Sequence, residues 1–396
     1  MKFALEEFSS RLTKLRKCME AERVDLFLVY GDQFRREGLR YFADYWPIFE
    51  RGLLLIPSDR DPVLLVAPES EHIAIADSVW KDIRLVRDLG MSYVPEEVEF
   101  TNVKFTNMPK VVRELVGGGQ KRFMVSGLDA MCKNLYDRIV SYLGQDSAIL
   151  NGDSVQYGLR RIKSAAEIEM LKKSWSICDI GYKAFLDADI VGLTELQAAA
   201  IAEKAARDAG AESIEFALLS SGEERTNTVV GRPTEKKIKR GDMLMFALAT
   251  QYGGYIASDE WPFVAGGKPT TAQADFIHHL IVAEDLGVKK IGNGVVQSEV
   301  VKLIRNYFRE NGMARYDLYP PMHGNGLAEA ESPYPDEHTT DLFVPGIGIN
   351  FDVSLFGCPG AGSNRIEEGF VIQGNGVLAL SPLISSLREE YVRNQG

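Results

Sequence analysis

The order of strands and helices changes character near residue 160, and no single small domain accommodates both halves. Leu159-Arg-Arg-Ile-Lys-Ser-Ala-Ala-Glu-Ile-Glu169 marks the change. Within it Ser164 and Glu167 have the spacing of a capping box. The serine oxygen takes an orphan amide of the first turn, and the glutamate reaches back to the serine N–H. A long helix is therefore expected from Ser164 to about Asp187. With 396 residues the chain exceeds one ordinary domain. The reading is two domains, 1–157 and 158–396.

In the first half Phe8, Leu12, Leu15 and Met19 recur at helical spacing. Strand-like runs follow at Leu26–Tyr30, Gly52–Ile56, Val63–Ala67, Ile83–Val86 and Phe123–Val125. Helical patterns near Glu71–Trp80, Met108–Val116 and Met131–Leu143 separate or follow them. Alternation of this kind predicts an α/β domain. In the second half an alanine-rich helix is expected at Glu195–Ala209, and helices at Thr271–Asp285 and Ser298–Asn311. Strands are expected at Glu215–Ser220, Met243–Thr250, Gly254–Ala257, Ile347–Val353, Gly369–Gln373 and Gly376–Ala379. Segregated strands and helices predict α+β.

Charge narrows the partners. The formal net charge is −11, and no Lys/Arg run is long enough for a nucleic-acid-binding face. No apolar run reaches the length of a membrane span, and the N-terminus lacks a signal-peptide core. Cys18, Cys132, Cys178 and Cys358 form no CxxC pair and read as reduced thiols. A cytoplasmic protein is expected, with no nucleic-acid or membrane partner.

Three segments carry candidate chemistry. His323 sits in Pro-Pro-Met-His-Gly-Asn-Gly-Leu, where glycine permits close backbone approach. It is either a catalytic or ligating residue or a hydrogen-bonded loop histidine. Asp352 interrupts an otherwise apolar strand, Gly-Ile-Asn-Phe-Asp-Val-Ser-Leu. A carboxylate there faces solvent or a pocket, because burying it unpaired is costly. Glu367 and Glu368 enter another strand and point to opposite faces, so one at most serves a given pocket. Asp259 and Glu260 form a second acidic pair of the same kind, followed by Trp261.

Taken together the chain resembles the creatinase/aminopeptidase P/methionine aminopeptidase superfamily, the pita-bread fold. The resemblance rests on Leu159–Glu169, on Gly231-Arg-Pro-Thr-Glu-Lys-Lys-Ile-Lys-Arg-Gly-Asp242, and on Val344–Asp352 followed by Arg365-Ile-Glu367. It implies a creatinase-type α/β N-terminal domain and an α+β pita-bread domain. Most peptidases of the family hold two divalent metals with two Asp, one His and two Glu. Here those positions fall on Ala247, Ser258, His323, Asp352 and Glu367, and a one-residue shift puts the second on Asp259. The family's upstream histidine falls on Val230.

The resemblance then implies a metal-free, creatinase-like hydrolase of a non-peptide C–N bond in a small amidine, guanidino or amide compound. No cofactor is expected; if any metal binds, His323, Asp352 and Glu367 hold one ion weakly. Glu260 matches the acidic position that faces the guanidinium in creatinase, so His323, Glu260, Glu367 and Asp352 are the expected catalytic residues. Asp259 and Trp261 are expected to contact substrate. So are Phe49 and Arg51, because Phe49-Glu-Arg51 is similar to the segment by which one subunit of a homodimer reaches its partner's pocket. Two alternatives stay open. One is an Xaa-Pro peptidase-like metallohydrolase with a degenerate metal site, and the other a non-catalytic binding module.

Overall fold

The computed structural model describes residues 2–91, 98–144, 147–226 and 230–395. The chain divides into two compact units, Lys2–Arg160 and Arg161–Gly396.

The first unit is built on a six-stranded mixed sheet. Its strands are β1 (Leu26–Gly31), β2 (Gly52–Pro57), β3 (Val63–Val66), β4 (Asp82–Leu85), β5 (Arg122–Ser126) and β6 (Ala148–Asn151). Their order is β4-β3-β2-β1-β5-β6. β1 pairs parallel with β5 and antiparallel with β2. β1 and β2 are buried at every position, which explains their unbroken apolar runs. One face packs Leu28, Leu53, Leu65, Val111, Phe123 and Ile139 into a common core.

The second unit opens with the expected helix, Ala165–Asp187. The capping box forms as the spacing predicts. Ser164 Oγ accepts from Glu167 N at 3.2 Å, and Glu167 Oε2 accepts from Ser164 N at 2.9 Å. The other oxygen of Glu167, Oε1, accepts from Tyr255 Oη at 2.8 Å, which ties the helix start to the sheet.

That sheet has eight strands: β7 (Ser213–Ser221), β8 (Met243–Tyr252), β9 (Tyr255–Glu260), β10 (Phe263–Val264), β11 (Met322–Gly324), β12 (Gly348–Cys358), β13 (Gly362–Ile372) and β14 (Val377–Ala379). The main path runs β10-β8-β9-β13-β12-β11, with β7 on β8 and β14 on β13. The pairings are antiparallel. This is the α/β plus pita-bread architecture that the sequence implies.

The register fixes the site. Ala247 pairs with Glu260, Glu260 with Glu367, and Glu367 with Asp352. Directly paired residues share a face, so these four positions form one row across four strands. A second row, one pleat along, contains Ser258 opposite Ala249, Gly369 opposite Asn350, and Asn350 opposite His323. Asp259 and Glu368 alternate to the opposite face, which is covered by helices. Ser381 Oγ, at the start of the terminal helix Pro382–Gln395, donates to Asp179 at 2.7 Å. Arg388 of that helix donates to Glu368 and to Asp285, each at 3.0 Å. No helix of the described residues is long and apolar enough to cross a membrane.

Candidate active site

His323 lies on β11, and its ring is fixed by its own neighbour. Nδ1 lies 3.0 Å from Gly324 O, so Nε2 is the nitrogen turned toward the carboxylates. Nε2 is 3.5 Å from Glu329 Oε1 and 3.8 Å from Glu367 Oε1. Glu329 reaches this place because the loop after β11 folds back: Gly324 bridges Glu331 and donates to its carbonyl at 2.9 Å. Glycine is required at 324, since a Cβ there would collide with the Ser332 backbone. A buried ion pair, Lys163 Nζ to Glu331 Oε1 at 2.6 Å, holds the fold-back.

Glu367 is anchored on both oxygens. Oε2 accepts from Ser258 Oγ at 2.8 Å, and Oε1 accepts from Asn350 Nδ2 at 2.8 Å. Asn350 in turn accepts from Asn325 Nδ2 at 3.0 Å. Burial raises the Glu367 pKa to about 8, reinforced by Glu329 and Asp352. Burial and Asp352 push Glu329 up to about 7. Tyr334 lies beside the histidine, its ring 5.5 Å from that of His323 and its side chain largely exposed.

Asp352 belongs to a different cluster. Arg365 Nη1 lies 3.3 Å from Asp352 Oδ2, and Arg365 Nε lies 3.3 Å from Glu260 Oε2. Ser354 Oγ donates to Asp352 Oδ1 at 2.7 Å, and Tyr319 Oη donates to Oδ2 at 3.2 Å. Glu260 is fully buried, and neither of its oxygens makes a hydrogen bond of good geometry. Burial raises its pKa well above the carboxylate range, with Arg365 acting in the opposite sense. Burial works against the Arg365 charge too, but Asp352 and Glu260 more than offset it and raise its pKa.

The expected residues therefore divide. His323 and Glu367 come together, and Glu329 joins them from a segment that sequence reasoning passed over. Asp352 and Glu260 share the face but hold Arg365. Asp259 does not reach the row. Strand alternation puts it on the opposite face with neither oxygen hydrogen-bonded, and burial and Asp179 raise its pKa. The one-residue shift that would have made it a ligand is closed by the register. Trp261 lies just past β9, out of phase with Glu260, its N–H donated to Tyr182 Oη at 2.7 Å. Phe49 and Arg51 belong to the first unit, where they line a cavity of about 780 Å³ with Arg87, Phe100, Phe105 and Arg138. Val230 is exposed and carries no titratable group.

His323, Glu329 and Glu367 place one donor atom each within 4.8 Å of one another. A tetrahedral ion with bonds of about 2.1 Å has donor–donor edges of about 3.4 Å. The two histidine–carboxylate separations, 3.5 and 3.8 Å, are close to that edge. One nitrogen and two carboxylate oxygens suit a divalent Zn- or Mn-like ion. The residues fit one cation.

Fold and site together define a two-domain pita-bread protein with a histidine–carboxylate donor group on its central sheet. Residues 169–374 match metallopeptidase family M24, and residues 11–149 match the creatinase/prolidase N-terminal domain. The chain belongs to metallopeptidase family M24. It is 27% identical over 229 residues to an Xaa-Pro dipeptidase of Pyrococcus furiosus, covering 58% of this chain and 65% of that one. An uncharacterized peptidase of Bacillus subtilis, YqhT, is 29% identical over 218 residues, 55% of this chain and 61% of that one. The matches thus span somewhat under two thirds of these relatives' length. Among solved structures, the prolidase of Pyrococcus horikoshii superposes with a TM-score of 0.80 at 22% identity, covering 94% of this chain and 98% of that one. An Xaa-Pro dipeptidase of Bacillus anthracis gives 0.79 at 21%, covering 95% and 98%.

Two expectations are corrected. The creatinase-like reading, a metal-free hydrolase of a non-peptide C–N bond, gives way because the relatives and structural neighbours with a named activity include Xaa-Pro dipeptidases and prolidases. The expectation of no cofactor gives way as well, because a metallopeptidase family match coincides with a donor group that fits a cation. Glu329 stands at none of the family's ligand positions, so the resemblance carries no signal for it.

Proposed function

We propose that this chain is a metallohydrolase of the Xaa-Pro dipeptidase type, acting on the amide bond of a small peptide with a divalent cation at His323, Glu329 and Glu367. The observation that carries the reading is the convergence of those three donors on the face where the family's ligands lie. The named activities of the relatives supply the substrate class.

A cation held there would polarise the scissile carbonyl as a Lewis acid. The protein's own groups do the rest. Ser258 and Asn350 fix the Glu367 carboxylate in one orientation, and the Gly324 carbonyl fixes the His323 ring. Glu329 is the donor with the most solvent access, so it is the group placed to take a proton from an attacking water. Tyr334 offers an exposed aromatic face beside His323 for an apolar ring such as proline.

The same reading takes the working form as a cytoplasmic homodimer in which Phe49 and Arg51 serve the partner's pocket. A monomer in sedimentation would remove both from the site. The test of function is hydrolysis of Xaa-Pro dipeptides by metal-stripped protein reloaded with Mn²⁺, Co²⁺ or Zn²⁺. Turnover restored by metal, and lost in Glu329→Gln, is expected. Turnover that is indifferent to both metal and Glu329 would overturn the proposal.

A further inference from the structure

Among the described residues, this face of the sheet carries two kinds of cation site. His323, Glu329 and Glu367 form a donor group. Glu260 and Asp352, which flank Glu367 in the row across β8, β9, β13 and β12, already face a cation of the protein's own. The Arg365 guanidinium lies 3.3 Å from a carboxylate oxygen of each. Ala247, the register partner of Glu260, brings no carboxylate to the row, and Ser258 uses its hydroxyl on Glu367.

We infer that Arg365 stands in permanently for a second divalent cation, so that this centre takes one metal ion where its family takes two. The inference rests on the proposed metal site at His323, Glu329 and Glu367. The Arg-x-Glu pattern itself is a family trait. What is particular here is its surroundings, since the nearest acidic partners left to the guanidinium are the two carboxylates a second ion would need.

A divalent ion bonded to Glu260 and Asp352 would lie about 2 Å from each oxygen. It would then stand within a few ångströms of a guanidinium that cannot shed its charge. Arg365 is itself well buried, so little solvent intervenes to screen that repulsion. Charge count agrees. Glu260, Asp352, Glu329 and Glu367 bring four negative charges when ionised. Arg365 balances one and a single divalent ion two, leaving one for a cationic substrate group such as an α-ammonium. A second divalent ion would leave the site net positive against that group.

The test is metal stoichiometry with Mn²⁺, read by elemental analysis after equilibrium dialysis and by electron paramagnetic resonance. Wild-type protein is expected to bind one equivalent with the spectrum of an isolated ion. Arg365→Met, which keeps the length and removes the charge, should admit a second equivalent with the line broadening of a coupled pair. Arg365→Lys, which keeps the charge, should stay at one. Two equivalents in wild type would overturn the inference while leaving the proposed function standing. So would an Arg365→Met protein that stays at one. No bound Mn²⁺ in wild type would overturn the proposed metal site and this inference with it. The wild-type count decides the matter even if a variant fails to fold.

Discussion

Ser258→Ala isolates one hydrogen bond to a carboxylate that the account makes a metal ligand. Ser258 Oγ lies 2.8 Å from Glu367 Oε2, and both residues are almost fully buried, so water cannot easily replace the lost donor. A hydrogen bond to a charged group contributes about 1.5–3 kcal/mol. Loss of a residue that orients a metal ligand typically weakens metal binding ~10–100-fold, about 1.4–2.8 kcal/mol, which is the same range. With metal in excess, that difference appears as lost metal-dependent stability. For a cooperative unit the size of Arg161–Gly396, where 1 kcal/mol moves Tm by about 2–4 °C, it amounts to roughly 3–11 °C. The assay is calorimetric titration with Mn²⁺, together with thermal unfolding with and without metal. An affinity within two-fold of wild type, and an unchanged metal-induced shift in Tm, would refute the reasoning.

Three further outcomes follow. Glu329→Gln should abolish stoichiometric Mn²⁺ binding while Asp352→Asn keeps it, because only Glu329 belongs to the donor group; equilibrium dialysis distinguishes them. Lys163→Met should destabilise the second unit by about 3–5 kcal/mol in denaturant unfolding, since it removes the cation of a buried ion pair. Asp259→Asn should stabilise the protein at neutral pH. The folded-state pKa of Asp259 is raised, so its favourable contribution is complete below the unfolded value and is lost as pH rises toward the folded one. The variant should therefore match wild type near pH 4 and gain on it progressively above that, as urea unfolding across pH can show.

Local signals in the sequence reached far into this fold. The Ser164–Glu167 spacing predicted a helix start that the structure places at Ala165. The apolar runs of the first half fall on β1 to β5 with ends shifted by at most one residue, because an apolar stretch marks burial and not the last ladder bond. Other elements had no such signal. The helix Pro382–Gln395 alternates apolar and polar residues too irregularly to stand out, and its place is set by Arg388 reaching Glu368 and Asp285. β13 begins at Gly362, well before the expected Gly369, because Asn364, Arg365 and Glu367 are polar yet belong to the strand.

The site divides along the same line. Strand alternation correctly separated Glu367 from Glu368, and the register then separated Glu260 from Asp259. Glu329 was illegible because only the fold-back of the loop, held by Gly324 and by Lys163 on Glu331, brings it to His323. A glutamate six residues beyond a histidine is no motif in sequence. The partnership of Arg365 with Glu260 and Asp352 is likewise a property of three neighbouring strands and has no sequence spacing of its own.

The central claim is a single divalent cation held by His323, Glu329 and Glu367. Anomalous diffraction from crystals equilibrated with Mn²⁺ tests it most directly. The account predicts one peak per chain, within about 2.2 Å of His323 Nε2 and of an oxygen of each glutamate. A map with no peak there, or with its peak between Glu260 and Asp352, would contradict it.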